Sequence, residues 1–113
     1  MTAGVGTGKW LAPEVISGNS DYGPPADIFS FGAVLTELDS HKLPYDEVRG
    51  ANGGKLVDVA LLQMVASGQV TPGFTSSCPD KIVEIGARCF ALNPASRPTA
   101  AEIAYALRQI KKS

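Results

Sequence analysis

The chain has 113 residues, 44% hydrophobic and 19% charged, with 10 Lys or Arg against 11 Asp or Glu and a formal net charge of -1. That length suits one domain able to bury a core, and the mixture is that of a globular rather than a disordered chain. A charge so close to balance leaves no electrostatic footprint for nucleic acid or an anionic membrane, and the most apolar stretch, LVDVALLQMVA, is too short to span a bilayer.

The first element, GTGKWLAPEV, is a shaped loop. Gly6 and Gly8 bracket Thr7 with permissive backbone, Pro13 fixes its own φ and drives Ala12 toward extended geometry, and Pro13 with Glu14 opens a short helix. Next, ADIFSFGAVLTEL predicts a helix over Ala26–Leu38. Its apolar residues Ile28, Phe29, Phe31, Ala33, Val34, Leu35 and Leu38 wrap most of the circumference, so it needs cover on nearly every side. DSHKLPY is a loop, and the single histidine, His41, reads as a loop residue rather than a general base.

After the flexible RGANGG connection, the spacing predicts an apolar helix over Leu56–Ser67 that stops at Gly68. GQVTPGFTSS is a turn-rich connection. CPDKIVEIGARCFAL is an amphipathic helix with Pro79 in its first turn, Asp80 at the positive end of the helix dipole, and Ile82, Ile85, Gly86 and Cys89 along one stripe. The last helix begins at TAAE, where Thr99 and Glu102 can cap each other, and sets Ile103, Ala106, Leu107 and Ile110 on one face. No alternating run of strand length competes, so the fold class is mainly α. Cys78 and Cys89 read as two reduced thiols of a cytoplasmic protein, and one histidine without a close cysteine pair leaves a zinc site without ligands.

Taken together, GTGKWLAPEV, DIFSFGAVLTEL, LPYDE and RCFALNPASRPTAAEI resemble, in this order, four landmarks of the C-terminal lobe of a eukaryotic protein kinase. Gly6 and Thr7 resemble the serine/threonine version of the substrate-facing loop, whereas Lys9, Trp10 and LAPE lean toward tyrosine-kinase patterns; the mixture suits the tyrosine-kinase-like group. The resemblance implies the helical C-terminal lobe of the kinase fold, incomplete, with residues 1–113 running from the end of the activation segment through the last helix.

The same resemblance implies roles. Glu14 would pair with Arg97 across the chain, where the residues alone allow two solvated charges. Asp27 would anchor the catalytic loop, or else be an ordinary first-turn carboxylate. Gly6, Thr7 and Trp10 would line the substrate-facing loop, or else serve as turn and core residues. Phosphoryl transfer also needs a Gly-rich loop, a phosphate-binding lysine, a catalytic aspartate and magnesium ligands, and none of their motifs occurs in this sequence. No catalytic, cofactor-binding or metal residue is therefore expected here. ATP and Mg would belong to a full-length parent serine/threonine kinase acting on protein hydroxyls, with the missing N-terminal part of the kinase domain as the chain's first partner. The alternative is a truncated, non-catalytic interaction module, with Leu56–Ser67 in a docking surface. Neither reading calls for nucleic acid or membrane.

Overall fold

The computed structural model describes residues 10–18, 23–46, 48 and 58–112, which form helices and no strand. In chain order these are α1 Pro13–Ile16, α2 Pro24–Ser40, α3 Asp58–Ala66, α4 Asp80–Cys89, a one-turn 3-10 helix Pro94–Ser96, and α5 Ala100–Lys112. α2 runs further than the apolar pattern at both ends. Pro24 and Pro25 occupy its first two positions, where a missing N–H costs nothing, and His41 ends it in the left-handed region at φ 61°, donating its N–H to the Glu37 carbonyl. Histidine here takes the place that glycine usually fills.

Packing follows from which stripe of α2 each residue occupies. At 100° per residue, Ala26, Phe29 and Ala33 lie on one side, and they enter a core with Ala12, Tyr45, Leu61, Val65 and Phe90. Ile28 and Leu35 point nearly the opposite way, toward Ile85, Cys89 and Ile103 of α4 and α5. A third stripe, Asp27, Phe31, Val34 and Leu38, is exposed: Phe31 at 36%, Val34 at 40% and Leu38 at 66%, against 0% for Phe29. The helix that is apolar almost all round is thus covered on two faces of three.

α2 and α4 meet where Gly32 removes a side chain. A Cβ there would stand 2.7 Å from Phe90 Cε1 and 2.9 Å from Cys89 Cβ, distances that no packed pair tolerates. The Phe90 ring fills that corner, edge-on to Phe29 with centroids 5.2 Å apart. Gly86 of α4 does the same for Phe74, whose ring lies 6.4 Å from that of Phe90.

Two polar devices tie the ends down. Thr99 and Glu102 form a reciprocal cap at the start of α5, Thr99 N–H donating to Glu102 Oε1 at 2.8 Å and Glu102 N–H to Thr99 Oγ1 at 3.1 Å. Near the end of α2, Asp39 accepts from both the backbone N–H and the hydroxyl of Thr75, at 2.7 and 3.0 Å, and so fastens the turn-rich connection. Cys78 and Cys89 are free and buried, and burial pushes both thiols up.

Gly32→Ala should destabilise the fold by about 1–3 kcal/mol through overpacking, although alanine is the better helix former. Gly73→Ala, with open space around it, is the control that should leave the denaturation midpoint unchanged.

Candidate functional site

The candidate site gathers around Arg97. Its position is set locally: Asn93 Oδ1 accepts from the Ala95 N–H and shapes the 3-10 turn, after which Pro98 holds Arg97 extended at φ -78° and ψ 150°. From there the guanidinium reaches back under α2 and α1. Glu14 sits in α1, whose first residue, Pro13, keeps Ala12 extended at ψ 154° so that the helix begins abruptly and turns Glu14 inward.

The two side chains make a bidentate pair. Arg97 Nη1 donates to Glu14 Oε2 at 2.8 Å and Nη2 to Oε1 at 2.9 Å. The guanidinium is spent further: Nη1 also donates to the Pro25 carbonyl at 2.9 Å, and Nε to the Ala91 carbonyl at 2.9 Å. Its Cζ lies 5.1 Å from the centroid of the Phe29 ring, so the cation also rests on an aromatic face. The Arg97 side chain is 0% exposed and that of Glu14 13%. Burial pushes the Glu14 carboxyl up, but the hydrogen bonds from Arg97 and within its own backbone, with the guanidinium charge, more than offset this and hold it below its ordinary value of 4.5.

The other candidate residues lie apart from this pair. Trp10 packs on the α2 core, and its indole N–H donates to Glu37 Oε1 at 3.1 Å. Asp27 is exposed in the first turn of α2, and among the described residues no donor reaches its carboxylate. Gly6 and Thr7 lie outside the described residues. Sequence reasoning missed Glu37, Ser30, whose hydroxyl donates to the Trp10 carbonyl, and Asp39 with Thr75. The available signal for the first two was their spacing: polar residues seven apart within an apolar helix share one stripe. A groove of about 620 Å³ between α4 and α5, lined by Lys81, Arg88, Glu102 and Tyr105 among others, contains none of the candidate residues.

The family model described as Protein kinase domain matches residues 1–106. The chain belongs to the protein kinase family. Among its relatives, Probable serine/threonine-protein kinase kinX of Dictyostelium discoideum is 35% identical over 106 residues, covering 94% of this chain and 9% of the relative. Cyclic GMP-binding protein C of the same organism is 38% identical over 104 residues, covering 91% of this chain and 4% of the relative. Human Mitogen-activated protein kinase kinase kinase 7 is 32% identical over 103 residues, covering 91% and 16%. This kinase chain therefore spans a small part of each of these relatives.

Removing either partner of the pair strands a buried charge or its acceptor. In a complete kinase domain that contains this chain, Glu14→Ala and Arg97→Ala should each cost about 3–5 kcal/mol, with the double variant far short of the sum, as thermal or chemical denaturation of all four proteins would show. Because the folded Glu14 carboxyl lies below 4.5, its contribution is fully present above that value and is lost as pH falls through the lower, folded value. Glu14→Gln should flatten the acid limb of the stability curve.

Proposed function

We propose that this chain is the later part of a serine/threonine protein kinase catalytic domain of the tyrosine-kinase-like group, from the end of the activation segment to the last helix of the C-terminal lobe. The full-length parent would transfer the γ-phosphate of ATP to hydroxyls of protein substrates. In this reading Gly6, Thr7 and Trp10 face the substrate, Glu14 and Arg97 anchor the loop that carries them, and Asp27 receives the catalytic loop. Two buried free thiols suit a cytoplasmic protein. Among the described residues no helix is long and apolar enough to cross a membrane.

One observation carries the reading. The exposed stripe of α2 runs Asp27, Phe31, Val34, Leu38 at helical spacing, an acceptor followed by three large apolar side chains. A contiguous apolar stripe of this kind calls for cover, and under such cover the carboxylate at its head needs donors in place of water. The preceding part of a kinase domain, with a helix for the stripe and backbone N–H groups for Asp27, supplies both.

ATP and Mg fall to that same part of the parent. Among the described residues no group of three or more His, Cys, Asp or Glu side chains is placed to hold a metal ion, and the sequence contains no phosphate-cradling motif. In this reading the chain's described residues position and support.

The test compares the 113-residue chain with a complete kinase domain that contains it. The chain alone should incorporate no label from γ-labelled ATP into a protein substrate above a boiled control, and the complete domain should. The chain alone should also bind an apolar-surface dye and give weak near-UV circular dichroism, both reversed when the preceding part is co-expressed with it. A rigid monomer with a sharp cooperative melt and no dye binding would reject the proposed cover.

A further inference from the structure

Among the described residues two carry a side chain into the left-handed region, His41 at φ 61° and Tyr45 at φ 66°. They bound the loop that leaves α2. Its upstream end is fastened, the His41 N–H donating to the Glu37 carbonyl at 2.8 Å and the Lys42 N–H to Ser40 Oγ at 3.1 Å. Leu43 to Asp46 then form a turn, closed by the Asp46 N–H on the Leu43 carbonyl at 3.2 Å, with Pro44 in second place and Tyr45 in third. This is the order of a type II turn, whose third residue takes positive φ and is ordinarily glycine or asparagine. A tyrosine there is strained.

The same residue carries a second penalty. Tyr45 is 7% exposed and belongs to the core that holds Ala12, Phe29 and, from α3, Leu61 and Val65. Its hydroxyl is buried with it, and among the described residues meets no hydrogen-bond partner. Burial pushes the phenol above its ordinary value of 10, so the group keeps its proton and is a donor without an acceptor. Phenylalanine would fill the core without this cost. If the turn relaxes, both penalties end together, because φ can return to negative values and water can meet the hydroxyl. There is room for that movement: a cavity of about 310 Å³ is lined by Leu43 and Tyr45 from the loop and by Thr71, Gly73 and Thr75 from the facing connection. Leu43, exposed on the same turn, gives up little packing when the turn moves.

We propose that residues 41–46 form a strap with two states: the closed one described here, and an open one in which the turn gives up its left-handed residue and the Tyr45 ring leaves the core for solvent. The strain and the stranded hydroxyl raise the closed state toward the open one, while burial of the ring holds it shut. Ala12, Leu61 and Val65 belong to the core that the ring fills, so opening loosens the approach to α1 and the seat of α3 together. The Glu14–Arg97 pair, held by other contacts, stays in place. A grip on the surface of this loop is thereby transmitted to two elements that it does not touch.

Two measurements on a complete kinase domain that contains this chain test the strap, and neither needs catalytic activity. The first is amide hydrogen exchange. The Asp46 N–H closes the turn and the Val48 N–H donates to the Tyr45 carbonyl at 3.0 Å, so these two amides report opening, while those inside α2 and α4 report global unfolding. Tyr45→Phe removes the stranded hydroxyl and keeps the ring, and should slow exchange at Asp46 and Val48 about tenfold while the interior amides of α4 keep their rates relative to global stability. The second is nitration of tyrosines by tetranitromethane, followed by peptide mass spectrometry, with exposed Tyr105 as the internal reference. Tyr45 should react more slowly than Tyr105 but about tenfold or more faster than global unfolding allows. Exchange at Asp46 and Val48 that is unchanged or faster in Tyr45→Phe would overturn the proposal, since the hydroxyl would then not favour opening. Nitration of Tyr45 only at the rate of global unfolding would overturn it equally, and this second result requires no variant to fold.

Discussion

A guanidinium cannot shed its charge, so a buried arginine obliges its surroundings to accept its hydrogens. Arg97 meets that obligation with a carboxylate from α1, a carbonyl from the first turn of α2 and a carbonyl that follows α4, while Phe29 lies under its Cζ. Four of the five donors that an arginine carries are engaged in these bonds. Two segments far from Arg97 in sequence, α1 and the first turn of α2, are thereby held against the end of α4, and none can move without leaving a desolvated group behind. An exposed pair of the same geometry would contribute far less, because water would replace whichever partner withdrew.

Around that point α2 works as a shared wall. One side closes the core that holds Phe29 and Phe90, the other closes the core of Ile85, Cys89 and Ile103, and Gly32 lets α4 come close enough to serve both. Phe90 touches both systems: its ring meets Phe29, which carries Arg97 on its face, and its backbone continues from Cys89. The ion pair and the helix packing are consequently one structure rather than two. Such sharing makes effects at Gly32, Phe90 and Arg97 non-additive.

The helices were legible in the sequence because their signals are local. The Thr99 and Glu102 cap, the Pro13 start and the stripe of Ile103, Ala106, Leu107 and Ile110 follow from neighbours three or four residues apart. The ends of α2 were misjudged because prolines at the first two positions and a left-handed histidine at the end carry no apolar periodicity. Glu14 and Arg97 stand 83 residues apart, and no spacing rule reaches so far; family resemblance alone suggested pairing them. Ser30, Glu37 and Asp39 escaped notice for the same reason, since each is an ordinary helix-surface residue until a distant segment arrives.

The separation of Glu14 from Arg97 also has a temporal side. A ribosome makes Glu14 83 residues before the arginine, an interval on the order of 4–17 s at roughly 5–20 residues per second. Throughout that interval Glu14 lacks its native guanidinium partner, and the α2 carbonyl at Pro25 waits with it. Closing so long a loop is entropically slow, so the segment ahead of α1 is fixed at its α1 end only when nearly all the helices that follow already exist. During synthesis, the elements nearest the start of this chain are therefore among the last to lock.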